Sequence, residues 1–453
     1  MRIDDARSAA YDLLYEVGAG DAYANLVMPQ IIEHYDLAGR DAAFATELGF
    51  GTLRLRGLLD AVLSRCADRT LSRIEPPVLD VLRMGAYQLL AMRVPSHAAV
   101  ATSVELSRRV TRNNASGLVN AILRKVAAHD REEWERIVTE DAEPIAALSS
   151  RLSHPAWQVR ALADALGSRR DELPELLTVN NSAPDVTLVA RPGGCTVDDL
   201  LRAAPCEPGR WSPYAVRMQG VVPGSLRAVV EGRAAVQDEG SQLVALALAA
   251  APIEGADGHW LDLCAGPGGK AGLLAALVAE RGGMLDAVEP QPHRADLVRK
   301  TLRGVPGRHR VHVEDGTQFE GSFDRVLADV PCTGLGVLRR RPESRWRREP
   351  ADVATLAPLQ RALLRNAIEC ARPGGVIAYS TCSPHIAETE LVVADALADG
   401  KAELLDARDI AMSIPGLRNS DEFDALTDPG PYLRLWPHRH DTDGMFLALL
   451  RRR

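Results

Sequence analysis

The chain has 453 residues, a net charge of −8, and 46% hydrophobic, 25% charged and 4% aromatic residues. At about 150 residues per domain that length suggests about three domains, and the composition is globular, not disordered. The acidic balance excludes a surface uniformly coated in positive charge, so any nucleic-acid contact has to come from clustered arginines.

There is no uncharged apolar run of roughly eighteen residues and no basic-then-apolar amino terminus, so neither a membrane span nor a signal peptide is expected. The seven cysteines, at 66, 195, 206, 264, 332, 370 and 382, are odd in number and include no CxxC pair. A disulfide framework and a metal site are both disfavoured, and a reducing cytoplasm fits.

Residues 1–140 read as an all-α domain: "DARSAAYDLLYEV", "RGLLDAVLSRCA", "PPVLDVLRMGAYQLLAM" and "ASGLVNAILRKVA" each place apolar residues at spacings of three and four. Pro76 and Pro77 suit a helix start and Pro95 a break. Near the end of this domain gather Arg108, Arg109, Arg112, Arg124, Lys125 and Arg131, either a solvated helix face or an RNA contact. Residues 141–230 change texture, with short β-branched runs cut by Pro, Gly and Asn, and suggest a small mixed α+β region.

From 231 to 453 short buried-type strands alternate with helices. "HWLDL" precedes a glycine turn and "KAGLLAALVAE"; "MLDAVEP" precedes "HRADLVRKTL"; "RVHVED", "FDRVLADVP" and "GVIAYSTCS" follow. That order predicts a parallel, doubly wound, Rossmann-like α/β sheet with its ligand at the carboxyl ends of the strands.

The stretch "LDLCAGPGGK" puts Gly266, Gly268 and Gly269 between a strand and a helix, where backbone N–H groups can approach a ligand. It is neither the G-x-G-x-x-G dinucleotide pattern nor a phosphate loop. Glu289, Asp315 and Asp329 are expected at the ends of the next three strands. Singly each reads as a cap or turn residue; jointly they suit a nucleoside with a cationic amino-acid tail, S-adenosylmethionine.

Cys332 after "ADVP" and Cys382 in "YSTCS" then stand at adjoining strand ends. A pyrimidine C5 carbon is a poor nucleophile until a thiolate adds at C6, which gives one thiol an immediate use.

The stretches "VQDEGSQLVALAL", "LDLCAGPGGK", "FDRVLADVPCTGLGVLRRRPESRW", "YSTCS" and "DGMFLALLRR" closely resemble the Nop/Sun family of RNA cytosine C5-methyltransferases, in particular its bacterial Fmu (Sun) rRNA branch. "RDAAFATELGFGTLR", "RMGAYQLLAMRVPSHAAVATSVELSRR" and "ASGLVNAILRKV" resemble the NusB-type RNA-binding domain of that branch.

The resemblance implies that Cys382 is the nucleophile and that Cys332 assists breakdown of the covalent adduct, with the DNA-enzyme arrangement, Cys332 as nucleophile, as the alternative. It implies that Cys264, Ala265, Gly266, Pro267, Gly268, Gly269 and Lys270 hold S-adenosylmethionine, that Glu289 takes the ribose and Asp315 the adenine side. Asp329 is then expected between the methionine amine and the target base, with Lys270 orienting it.

Several positions depart from the family pattern: Gly266 replaces the commoner Ala, Glu289 the commoner Asp, Val330 the usual Ala, and "ETE" at 388–390 the usual Glu-Asn-Glu. The Arg-Val-Asn that usually marks the middle region is absent.

"RRRPESRWRR", 339–348, sets six arginines around Trp346 directly after the Cys332 turn, and is expected to form an RNA-contacting loop along which phosphates pass. The target cytosine is then single-stranded or flipped.

The expected function is S-adenosylmethionine-dependent methylation of RNA, by family association small-subunit 16S rRNA, by a cytoplasmic monomer. The rivals are a noncatalytic RNA-binding assembly factor with a vestigial methyltransferase domain, and a tRNA cytosine C5-methyltransferase.

Overall fold

The computed structural model describes residues 4–20, 22–111, 113–220 and 222–453, so Arg112 of the basic cluster lies outside the described residues. The chain forms two compact units, 1–183 with 338–348, and 184–337 with 349–453. The expected middle region is shared between them: its helices, from Pro144–Arg151 to Leu173–Val179, belong with the first unit and its strands with the second.

The first unit is helical, as its apolar spacing predicts. Its helices run Asp5–Ala19, Ala24–His34, Gly39–Arg54, Arg56–Cys66, Pro76–Leu90, Ser96–Val110, Ser116–Val126 and Arg131–Thr139 before those of the middle region. Helix starts follow local chemistry. Asp4 accepts from Arg7 N, Pro76 and Pro77 occupy the first turn of their helix, and Asp130 and Glu133 form a reciprocal capping box. The core is built from Leu13, Leu48, Leu58, Leu59, Val62 and Leu82, each essentially inaccessible to solvent.

Segment 338–348 is part of this helical unit, and here the structure corrects the expected RNA loop. Arg345 is fully buried: its Nη1 donates to Arg54 O, Ser153 O and Asn181 Oδ1 at 3.0, 3.1 and 2.6 Å, and its Nη2 to Asn180 O at 2.5 Å. Arg347 Nη2 donates to Val17 O and Ala22 O, Arg341 lies over the Tyr23 ring, and Arg56 lies over Trp346. Arg339 is buried as well. The physical reason is that helix ends and loops leave carbonyls without donors, and a guanidinium with five N–H groups satisfies several at once. Arg345 and Arg347 are thus internal struts between backbone carbonyls.

The basic cluster expected near the end of the helical domain is mostly paired. Arg108 bonds Glu105, Arg109 donates to Ser8 Oγ, Lys125 reaches Cys66 O and Asp68, and Arg131 bonds Glu135, whereas Arg124 is exposed.

The second unit contains two sheets. Strands β1 (Thr187–Ala190), β2 (Cys206–Pro208), β3 (Ala215–Met218) and β4 (Ala234–Val236) make a small antiparallel sheet in the order β2-β3-β1-β4. It is tied to the larger body by buried charged groups. Glu239 accepts from the backbone N–H groups of Arg210, Trp211 and Ser212, and Arg191 donates to Gly232 O and Thr301 O.

The large sheet comprises β5 (His259–Asp262), β6 (Met284–Val288), β7 (Arg308–His312), β8 (Phe323–Asp329), β9 (Ala371–Thr381), β10 (Ala402–Leu405), β11 (Leu433–Leu435) and β12 (Met445–Arg452). Its order is β10-β12-β9-β8-β5-β6-β7, with β11 beside β12. β5 to β9 are parallel, as expected, whereas β12 runs antiparallel to β9, β10 and β11, so the sheet is mixed. The chain order reverses at β5, between β6 and β8, which opens a crevice at the carboxyl ends of these strands.

Candidate active site

The crevice is built by strand ends and the turns that follow them. After β5 the chain makes a cis bond between Gly266 and Pro267, then turns at Gly268, with φ of 115°, into the helix Gly269–Ala279. Gly268 is required twice over. L-residues avoid that φ, and a Cβ there would lie 2.8 Å from Thr301 Cβ. At Gly269 a Cβ would meet nothing within 4 Å, so the first turn of the helix has open space beside it.

Glu289 follows β6 directly and is buried; its Oε1 accepts from Gln291 N at 3.0 Å, and Arg294 lies 3.4 Å from its Oε2. Arg294 also donates to Gly266 O at 2.8 Å, which ties Glu289 to the glycine turn.

Asp315 departs from its expected place. β7 ends at His312, and Asp315 sits beyond it in an exposed turn, where its Oδ1 accepts from Thr317 N and Thr317 Oγ1. Its short side chain competes for local backbone donors as Asp does in turns.

Asp329 ends β8. Lys270 Nζ donates to its Oδ2 at 2.8 Å and Ser380 Oγ to its Oδ1 at 2.6 Å. Burial alone would lower the Lys270 pKa, but the charge of Asp329 and the bond to it prevail and hold it above its ordinary value.

Sequence reasoning missed Asp262, the last residue of β5, whose pKa is pushed up to about 7 first by burial and then by the nearby charge of Asp329. An acidic residue closing the strand before a glycine turn was its only signal.

Register explains how the two cysteines meet. Asp329 of β8 pairs with Ser380 of β9, so Cys332 and Cys382 follow that pair on neighbouring parallel strands. Val330 N donates to Ser380 O and Gly336 N to Cys382 O, which keeps the two turns together beyond the sheet. The result is a Cys332 Sγ to Cys382 Sγ separation of 3.4 Å. The hydrogen bond to Cys382, then burial, hold the Cys332 thiol well above its usual pKa. The two sulfurs stand within hydrogen-bonding distance, and either can be the donor. The Lys270 ammonium is close enough to interact with charge on Cys382.

An open backbone turn at a helix start, carboxyl groups at three strand ends, two of them buried and Asp329 half-buried, and one ammonium make a site suited to a nucleoside with a charged amino-acid tail. S-Adenosylmethionine fits these residues. Among the described residues no cluster of His, Cys, Asp and Glu forms a metal site, and no helix is long and apolar enough to cross a membrane.

Residues 247–451 match the family model "16S rRNA methyltransferase RsmB/F", and residues 4–128 match that of the NusB family. The chain is 50% identical to the putative methyltransferase Rv1407 of Mycobacterium tuberculosis, over 99% of this chain and 97% of that one. It is 32% identical to ribosomal RNA small subunit methyltransferase B of Salmonella newport, over 81% of this chain and 83% of the relative.

Among solved structures, PH0851 aligns over 99% of both chains with a TM-score of 0.80 at 21% identity. NSun6 from Pyrococcus horikoshii with SFG aligns over 65% of this chain and 97% of its own, with a TM-score of 0.54 at 19% identity. At such identities these structures bear on the fold alone. The chain therefore belongs to the RsmB/F family of S-adenosylmethionine-dependent methyltransferases and carries a NusB-family domain at residues 4–128.

Proposed function

We propose that this protein methylates C5 of a cytosine in small-subunit rRNA through a covalent bond between Cys382 and C6 of the base. The observation that carries this reading is the thiol pair, 3.4 Å apart, beside the Lys270–Asp329 ion pair. An amine-directed methyltransferase has no use for two sulfurs at adjoining strand ends, whereas addition at C6 requires one and expulsion of the adduct benefits from a second. The substrate class rests on the family and on relatives named as small-subunit rRNA methyltransferases.

Bound S-adenosylmethionine supplies an electrophilic methyl group. The backbone from Cys264 to Gly269 and the side chains of Lys270, Glu289, Asp315 and Asp329 are the residues assigned to hold it. Cys382 Sγ attacks C6, and the electron pair displaced from the C5–C6 bond makes C5 nucleophilic. Asp329, fixed between Lys270 and Ser380, is the carboxylate assigned to accept a hydrogen bond from the cytosine, with the Lys270 ammonium beside it to offset negative charge that develops on the ring.

Once C5 carries the methyl group, its proton leaves to a base and the S–C6 pair returns to Cys382. Cys332, 3.4 Å away, is near enough to donate its S–H to a Cys382 thiolate before attack and again as that thiolate is expelled.

Bisulfite sequencing of total RNA from cells with and without the protein tests the reading. One protein-dependent 5-methylcytosine in small-subunit rRNA is expected. Its absence from every RNA would overturn the assignment, and its appearance in tRNA would move the substrate.

A further inference from the structure

Beyond the two thiols lies a third group that touches neither yet holds both turns. Glu388, in the short turn Ile386–Glu388 after β9, has no solvent exposure. Its Oε1 accepts from Thr333 N at 2.8 Å and from Gln360 Nε2 at 3.1 Å; its Oε2 accepts from Thr333 Oγ1 at 2.5 Å and from Ser383 Oγ at 2.6 Å. Thr333 directly follows Cys332, and Ser383 directly follows Cys382. One carboxylate thus bonds the residue after each cysteine.

The surroundings fix the carboxylate in turn. Tyr379 Oη donates to Glu388 O at 2.7 Å, and Gln360 Nε2 also donates to Pro331 O at 2.8 Å, on the other side of Cys332. Thr333 Oγ1 and Ser383 Oγ lie 3.1 Å apart, so the two turns meet at the carboxylate as well as at the sulfurs.

Burying an acid is costly, and a well-packed apolar side chain would fill the same space at no such cost. Four donors directed at two oxygens match a carboxylate, which only accepts; a carboxamide presents one accepting oxygen and an N–H group toward the same donors. The geometry points to Glu388 as a positioning residue that sets the separation and alignment of Cys332 and Cys382. The inference rests on the two-thiol reading for its catalytic consequence, but the separation itself is a property of the folded chain.

The test therefore reads the thiols without RNA or cofactor. In a glutathione redox buffer, glutathione disulfide accepts two electrons and releases two glutathione thiols as the Cys332 and Cys382 thiols lose their hydrogens and form an S–S bond. The equilibrium constant measures how closely the fold presents one sulfur to the other. It is read by peptide mapping of the Cys332–Cys382 linkage in the full chain.

Glu388→Gln should lower that constant at least about tenfold, the scale of losing one charge-assisted hydrogen bond. Thr333→Val should lower it in the same direction, and the double variant should be little worse than either alone. S-Adenosylmethionine affinity should stay near wild type, Tm should fall by a few degrees as buried donors lose their acceptor, and turnover should fall without a matching change in RNA KM. A folded Glu388→Gln with an unchanged or raised constant would overturn the inference. If Glu388→Gln fails to fold, Thr333→Val and Ser383→Ala decide: an unchanged constant in both overturns it. If the wild-type pair responds as expected but no RNA is methylated, the proposed function fails and the positioning role stands.

Discussion

A Cβ placed on Gly266 would lie 2.1 Å from Glu289 Oε2, closer than any real contact. The two departures from the family pattern noted at these positions are therefore one feature. Glu is a methylene longer than Asp, and Gly is a methyl smaller than Ala, so the longer acid occupies the room that the missing methyl leaves. Gly266→Ala should displace the Glu289 carboxylate and weaken S-adenosylmethionine binding about tenfold, the scale of a typical overpacking cost. Adding Glu289→Asp should recover most of the loss. Isothermal titration of the wild type and the two variants measures this, and a double variant no better than Gly266→Ala would separate the two positions.

The two thiols should fail differently. Cys382→Ala removes the group proposed to bond C6, so methyl transfer and covalent capture of RNA should both disappear. Cys332→Ala leaves attack possible but slows breakdown, so an enzyme–RNA species stable on a denaturing gel should accumulate. Capture by the Cys382 variant and not by the Cys332 variant would exchange their roles.

Arg345 should matter for stability. Arg345→Met leaves the carbonyls of Arg54, Ser153 and Asn180 without this donor inside the helical unit, and should cost about 2–5 kcal/mol, as loss of one partner from a buried polar network does. Lys, with a single ammonium, should not restore it. Thermal unfolding reads the effect. A variant of wild-type Tm with weakened RNA binding would return the segment to the phosphate-contacting role.

Asp262 gives a pH dependence with a definite sign. Its folded-state pKa is raised to about 7 from an ordinary 3.8, chiefly by burial. The folded state therefore binds the proton more tightly than the unfolded one. Its favourable contribution is complete below about pH 4 and is lost as pH climbs to about 7. Asp262→Asn should remove that decline and raise the Tm of the cofactor-free protein by a few degrees at pH 8, while weakening binding of the cationic cofactor. Melting curves from pH 4 to 8 measure the first effect and titration the second. A parallel pH profile in wild type and variant would mean Asp262 ionises normally.

The parallel strands were readable because glycine turns and acidic residues punctuate short apolar runs, and the cysteine pair because two strand ends of similar pattern bracket one helix. β12 was not, since a strand buried on both faces shows a continuous apolar run with no alternation. The arginine run misled for a different reason: like charges in sequence look the same whether water or backbone carbonyls surround them. Asp315 was assigned to a strand end because a β-branched run leads up to it, yet the strand stops at His312 and the acid spends one oxygen on its own turn. Glu388 carried only a faint mark, the "ETE" that departs from the family pattern, because the donors it collects come from residues 333, 360 and 383 and meet only in the fold.

Segment 338–348 also sets a timetable for synthesis. A ribosome releasing this chain from the amino terminus delivers the helices up to residue 183 long before Arg345, so their carbonyls wait while β1 to β8 emerge. β8 in turn waits for β9, which follows residue 348, and β9 for β12 at the very end of the chain. Neither unit can finish in isolation during translation. The nascent chain holds the first unit incomplete until residue 348 and the second until β12 is made, so a product truncated before 338 exposes unsatisfied backbone in the first unit and one truncated before β12 leaves an open sheet edge in the second.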